Sequence, residues 1–156
     1  MGRQRLAYVL ALAVPAVLLT AVYVAQYGFG LAPCEMCWWQ RYPHFAALAF
    51  AVLGWSTRRD AFIALAGLAI LVSGLLGGFH AGVEYHWWPG PTHCTGVALG
   101  DDPLAAIMAA PVVRCDVPAW TLGGISLAGF NFLISTSAGV AILMMIRGRG
   151  QRKAWA

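Results

Sequence analysis

Charged residues are scarce in this chain. Aspartate, glutamate, lysine and arginine make up 10% of its 156 residues, whereas a soluble domain carries about 25%. Hydrophobic residues make up 60%, and the mean hydropathy is +0.70. So few charges exclude a surface that faces water on all sides. The composition therefore predicts an integral membrane protein with the lipid bilayer as its surroundings.

Acidic residues are rarer than basic ones, 6 against 10, which leaves a formal net charge of +4. A positive charge can indicate nucleic-acid binding. Here, however, the basic residues form small clusters between apolar runs, the pattern of a membrane protein oriented by its loops. We therefore expect no nucleic-acid partner.

Four apolar runs are long enough to cross a hydrocarbon core of about 30 Å as helices. They predict a single all-α membrane domain, a four-transmembrane-helix bundle over 1–156. The predicted spans are approximately 6–26, 38–55, 61–84 and 122–146. A cleaved signal peptide is the alternative for the first span. Its apolar run exceeds the usual 7–15 residues of such a peptide, and Tyr23 would suit a cleavage after Ala25 poorly, so we expect the span to be retained.

The basic residues predict the orientation. Eight of the ten lie at the termini or in the short turn between spans two and three, and basic residues favour the cytoplasmic side. Both termini are then cytoplasmic, and the segments 28–37 and 86–119 face outward. The eight are Arg3, Arg5, Arg58, Arg59, Arg147, Arg149, Arg152 and Lys153.

Small residues recur at four-residue intervals in span three, at Ser73, Gly74, Gly77, Gly78 and Gly82. Such small-xxx-small pairs let helix backbones approach closely. Tight packing within the bundle is the plain interpretation. A bound ring lying against this smooth face is the alternative.

Four cysteines are present, Cys34, Cys37, Cys94 and Cys115. All four fall on the outward side of the predicted topology, where disulfides persist. Their placement favours two pairs, Cys34 with Cys37 and Cys94 with Cys115, although four cysteines allow three pairings.

The Cys-x-x-Cys pair favours redox exchange. An all-cysteine zinc site usually combines two such knuckles, and the second pair has the wrong spacing, so we assign no metal. A purely structural disulfide would close a very small loop and constrain the unfolded chain little. Cys37 lies near the first turn of span two, where the helix dipole favours a thiolate. Thiolate is the form that attacks disulfides.

Two further side chains are candidates for the site. Arg41 lies four residues after Cys37, on the same helix face, where its permanent charge would stabilise an anion. An arginine snorkelling to the interface is the alternative. His86 lies at the outer end of span three, and a membrane-interface residue is the alternative there. His80 shares a helix face with Glu84.

The sequence resembles the disulfide bond formation protein B (DsbB) family over nearly its whole length. The resemblance lies in the four spans, in "PCEMCWWQR" at the start of span two, and in "HCTG" and "RCDVPAW" in the second outward segment. The order of the cysteines matters, because the isolated pair comes first in the vitamin K epoxide reductase-like family.

The resemblance implies a quinone-dependent thiol oxidase of the bacterial inner membrane. A reduced, periplasmic DsbA-like dithiol oxidase would attack the Cys94–Cys115 disulfide at Cys94. Cys115 would then attack Cys34, and Cys37 would meet a membrane quinone, ubiquinone or menaquinone, as a thiolate. Arg41 would orient the quinone, and His86 matches the family's quinone-proximal histidine.

Three other functions stay open at this stage. A specialised paralogue could serve one substrate pathway, since Gln40 precedes Arg41 where some members have an acid and the second outward segment is short. A reductase would favour cysteines within the spans or facing the cytoplasm. A non-enzymatic membrane protein with structural disulfides would contain no reactive thiol.

Overall fold

Four long helices dominate the computed structural model, which describes residues 2–92 and 113–154. They are α1 (Arg3–Gly28), α2 (Glu35–Thr57), α3 (Asp60–Glu84) and α4 (Leu127–Ala154). The regular secondary structure of the described residues is therefore helical apart from one small hairpin. Cys94 and the middle of the second outward segment lie outside the described residues.

Three of the helices are long and apolar enough to cross a membrane: Arg3–Gly28, Asp60–Glu84 and Leu127–Arg147. Helix α2 is of similar length, 23 residues, but does not reach the same hydropathy. Its buried face carries Gln40, Arg41 and His44, which lower the average. That α2 is the fourth span stays a prediction.

Helix α3 lies between α2 and α4 and packs closely against both. Four of its five glycines face α4, whereas Gly82 lies against Trp88. A Cβ atom on Gly74 would lie 2.6 Å from the backbone nitrogen of Thr136, and one on Gly77 would lie 2.9 Å from the carbonyl oxygen of Ala128. Larger side chains at these positions would force the two backbones apart, so the small-residue face is a helix-packing surface.

A two-residue turn precedes α4. Strands β1 (Thr121–Leu122) and β2 (Ile125–Ser126) pair antiparallel around Gly123 and Gly124, whose φ angles are +58° and +80°. Positive φ at both central residues is what a type I′ hairpin turn requires. Ser126 Oγ then caps α4 by accepting from the backbone N–H of Gly129 at 3.1 Å. Helix α4 consequently begins at Leu127, five residues after the predicted start of span four.

Two clusters of buried side chains lie at different levels of the bundle. We call the end that holds the tight turn at Arg58 and Arg59 the closed end, and the opposite end, where α2 begins, the cysteine end. The closed-end cluster is made of alanines, isoleucines and one tyrosine: Ala7, Tyr8, Ala11, Ala47, Ala51, Ile63, Ala66, Ile70 and Ile142. The cysteine-end cluster contains Cys34, Met36, Val83 and Cys115.

Candidate functional site

Cys34 and Cys37 meet at the N-terminus of α2. Cys34 is the N-cap residue, with extended backbone, and its Sγ accepts a hydrogen bond from the backbone N–H of Cys37 at 3.2 Å. Both are free thiols, and their sulfur atoms lie 2.8 Å apart, with the Cys34 thiol donating to Cys37. The pair is therefore in its reduced form, and the thiol hydrogen of Cys34 is directed at the sulfur of Cys37.

The hydrogen bond between the two sulfurs shifts the pKa values of the two thiols in opposite directions. The hydrogen bond from Cys34 lowers the pKa of Cys37, which lies one residue before the predicted second span. The hydrogen bond to Cys37, followed by burial, raises the pKa of Cys34. Arg41 adds a smaller electrostatic contribution that lowers the pKa of Cys37. Cys37 is thus the sulfur that is more readily a thiolate.

Arg41 is buried one turn further into α2, with 6% of its surface exposed. Its Nη1 donates to Gln26 Oε1 at 2.8 Å, and its guanidinium lies over the rings of Trp38 (4.8 Å) and Tyr23 (5.1 Å). In the described part of the chain no carboxylate lies within ion-pair distance of it. A buried cation held by a neutral amide and two aromatic faces retains most of its attraction for an anion.

Cys115 is fully buried and disulfide-bonded. It belongs to the same cluster as Cys34, and Cys37 packs against that cluster. Thr92 donates to its sulfur at 3.5 Å. The structure therefore brings together three of the four predicted cysteines, while the role of Cys94 stays a prediction.

The two histidines of the outer end of α3 are placed differently. His86 is exposed, adopts a left-handed backbone conformation with φ of 59° just beyond the helix, and does not line the cavity described below. Its quinone-binding role stays a prediction. His80 is 2% exposed and contacts Cys34 and the Cys115 backbone. The sequence placed His80 on one helix face with Glu84, but it did not indicate that this face points inward.

A network of buried polar side chains lies beneath the cysteines and was missed by sequence reasoning. Asn131 Nδ2 donates to Gln40 Oε1 at 2.9 Å and to the backbone oxygen of Ser73 at 3.1 Å. Asn131 Oδ1 accepts from Ser135 at 2.7 Å and contacts His44 Nε2 at 3.1 Å. Polar residues inside apolar spans are themselves an indication of function, and here they join α2, α3 and α4.

A cavity of about 390 Å³ opens beside the cysteines. Its wall is mainly aliphatic and aromatic and comes from all four helices, the connection between α1 and α2, and the segment before α4. Its polar groups include those of Cys34, Cys37, Arg41, His44 and Glu84. Two buried polar atoms of these residues, His44 Nδ1 and Glu84 Oε2, make no hydrogen bond with the residues that the structure describes. The size and the apolar wall with few polar groups are typical of a small-molecule site.

Three potential metal ligands also converge here. In the described residues, the ligand atoms of Cys34, Cys37 and His80 lie within 4.8 Å of one another. Two thiols and an imidazole are donors that suit zinc and other soft metals. Spacing in the sequence did not reveal this set, because His80 is 43 residues beyond Cys37 and belongs to another helix.

Comparisons with known proteins identify the family of the chain. Residues 4–145 match the family model described as disulfide bond formation protein DsbB. The chain is 30% identical over 168 residues to disulfide bond formation protein B of Verminephrobacter eiseniae, covering 96% of this chain and 91% of that protein. It is 24% identical over 125 residues to the uncharacterized protein RP370 of Rickettsia prowazekii, covering 75% of this chain and 73% of that one. No solved structure matches the chain.

Proposed function

This chain belongs to the disulfide bond formation protein B family, and from that premise we propose that it is a quinone-dependent thiol oxidase. It reoxidises a periplasmic DsbA-like dithiol oxidase and passes the electrons to a membrane quinone. One observation carries the proposal: the Cys37 sulfur is hydrogen-bonded to a second thiol and shares the wall of a largely apolar cavity with the buried Arg41. A lipid-soluble oxidant and a thiolate can meet there.

The cavity fits a quinone head group by its chemistry. An aliphatic and aromatic wall suits the ring and the start of an isoprenoid tail. His44 Nδ1 and Glu84 Oε2 are buried acceptor atoms without a partner among the described residues, and the hydroxyl groups of a reduced quinol can donate to them. Arg41 supplies the positive charge that favours a reduced oxygen. Ubiquinone and menaquinone both meet these requirements.

The chain's own residues divide the reaction into exchange steps. The partner's thiolate attacks Cys94 of the Cys94–Cys115 disulfide, and the bonding electrons leave on Cys115. The Cys115 thiolate attacks Cys34 of the oxidised Cys34–Cys37 pair, which places the electrons on Cys37. Arg41 and the first turn of α2 stabilise that Cys37 thiolate. A bound quinone supplies the final two-electron acceptor.

A location in the membrane suits a reaction with one reactant in water and the other in lipid. The reduced partner is dissolved in water, whereas the oxidant is dissolved in lipid. The basic residues favour an inner-membrane location with both termini in the cytoplasm, which would leave the cysteine end at the periplasmic surface. A sulfur at that boundary can exchange with both reactants.

The test mixes the purified full chain with a reduced DsbA-like dithiol protein and a soluble quinone, and follows quinone absorbance. We expect turnover in the parent and none in Cys37→Ser. Ser56→Ala, an exposed change at the closed end, is the control and should turn over like the parent.

Two results would overturn the proposal. Turnover that persists in Cys37→Ser would remove Cys37 from the reaction. A parent chain that turns over with neither a ubiquinone nor a menaquinone analogue would favour the alternative of structural disulfides without enzymatic activity.

A further inference from the structure

His80 lies between Cys34 and Cys115, one cysteine from each predicted pair. Its Nε2 atom is 3.2 Å from the carbonyl oxygen of Cys115 and 3.6 Å from the sulfur of Cys34. All three residues are buried, and the two cysteines belong to one cluster. A single imidazole nitrogen therefore contacts one residue from each pair.

The surrounding hydrogen bonds fix where the proton of His80 lies. Gln40 Nε2 is 3.1 Å from the carbonyl oxygen of Met36 and 2.8 Å from His80 Nδ1. Because a carbonyl oxygen only accepts, the nitrogen of the Gln40 amide must face Met36. The amide oxygen, Oε1, faces the other way and accepts from Asn131 Nδ2, which fixes the same orientation. An amide nitrogen only donates, so Nδ1 accepts. The ring is then neutral and carries its hydrogen on Nε2.

This tautomer decides between three possible roles of His80. An ion pair with Glu84, whose Oε1 is 3.8 Å away, would need a doubly protonated ring, and Nδ1 is already an acceptor. A metal at Cys34, Cys37 and His80 would need a lone pair on Nε2, where the hydrogen lies. What remains is an N–H donor directed at the Cys115 carbonyl and the Cys34 sulfur.

We propose that His80 is a positioning residue that holds the Cys115 segment against Cys34, so that exchange between the two pairs proceeds through these two sulfurs. The role rests on the proposed function, because it concerns the internal step of that reaction. In that step the Cys115 thiolate attacks Cys34 Sγ, the Cys34–Cys115 bond forms, and the Cys34–Cys37 bond breaks. The electron pair leaves on Cys37, and no external oxidant is consumed.

The test isolates this step from the partner and from the quinone. In the full-length Cys37→Ser, Cys94→Ser double variant, Cys34 and Cys115 are the only thiols. Mixtures of oxidised and reduced glutathione set the redox poise, and alkylation followed by non-reducing electrophoresis measures the fraction of Cys34–Cys115 disulfide. The effective concentration of the two thiols follows from that fraction.

Adding His80→Phe to this background should lower the effective concentration by about fivefold, the effect of one lost hydrogen bond. His80→Gln, which can place an N–H near the Nε2 position, should recover part of the loss. Tyr85→Phe is the matched control. It removes hydrogen bonds to Gly124 and Ser126 at the same end of the bundle, without touching a cysteine, and should leave the value unchanged.

Two results would overturn the proposal: an unchanged effective concentration in His80→Phe, or an equal loss in Tyr85→Phe. Should His80→Phe fail to fold, nitrogen-15 NMR of the parent histidine rings decides, since a His80 protonated on Nδ1 or on both nitrogens contradicts the proposed donor. None of these measurements uses a quinone. An absence of quinone turnover beside a clear His80 effect would therefore reject the proposed acceptor and retain the positioning role.

Discussion

At the closed end of the bundle, helices meet mainly through apolar side chains, such as Ala47, Ile63 and Ile70. Its polar contact between helices, among the described residues, is confined to the edge, where Gln4 and Tyr8 donate to Asp60. At the cysteine end, the same helices meet through Gln40, His80 and Asn131 and the hydrogen bonds among them. Both ends are buried, so burial alone does not account for the difference.

The difference lies in what each kind of contact specifies. Small apolar side chains allow close approach and gain dispersion energy, but they tolerate sliding and rotation. A satisfied buried polar network is more demanding, because each group left without a partner is costly. The closed end therefore sets the spacing of the helices, whereas the cysteine end sets the orientation of particular atoms, including a histidine N–H and a guanidinium.

The largest expected functional difference between the two ends is that between replacing an arginine at the cysteine end and replacing one at the closed end. Arg41→Gln should raise the KM for a soluble quinone by roughly tenfold to a hundredfold, because a hydrogen bond to a charged group contributes about 1.5–3 kcal/mol. The measurement is quinone-dependent turnover with a saturating dithiol partner. Arg59→Gln removes an exposed charge at the closed end and should leave KM unchanged. An equal KM in Arg41→Gln and the parent would contradict the role of Arg41.

Much of the fold follows from sequence because it depends on local patterns. Apolar runs place the helices, and the Cys-x-x-Cys with Arg41 one turn later places the thiols and the cation on one helix. The hairpin before α4 was not predicted, although Gly123-Gly124 is a turn signal. The residues on either side of the turn are apolar and so were assigned to the start of span four. Strands of two residues are also too short to give a recognisable sequence pattern.

The rest of the site depends on how whole helices are rotated against one another. His80 meets Cys34 across 46 residues, and Asn131 meets Gln40 across 91. No local spacing encodes such a contact. The same reason explains why His86 attracted attention: it lies near the right end of the right helix, but α3 ends at Glu84 and His86 is exposed beyond it.

A packing change at the closed end should affect stability without affecting chemistry. Ile70 is fully buried there, and Ile70→Ala should lower the free energy of unfolding by about 2–4 kcal/mol through the cavity it leaves. Turnover per folded molecule should stay that of the parent. Thermal unfolding in detergent and activity well below the transition provide the two readouts. Val72→Ala, at a 41% exposed position on the same helix, is the control. A fall in turnover beyond the loss of folded protein would show that the two ends are not independent.

The smallest expected effect concerns the two thiols themselves, within the cysteine end. Since the pKa of Cys37 is lowered and that of Cys34 is raised, Cys37 holds the larger thiolate fraction at every pH between the two pKa values. With limiting iodoacetamide and the Cys34–Cys37 pair reduced, mass spectrometry should find Cys37 alkylated first. Its rate should rise at a lower pH than that of an ordinary thiol. In the denatured chain the hydrogen bond between the sulfurs is gone, and the two rates should become similar.

Preferential alkylation of Cys34 in the folded chain would reverse the assignment and make Cys34 the thiolate. The negative charge would then lie on Cys34 and not on Cys37, the thiol that Arg41 is proposed to stabilise. The cysteine end would lose the pairing of thiolate and guanidinium by which it differs from the closed end.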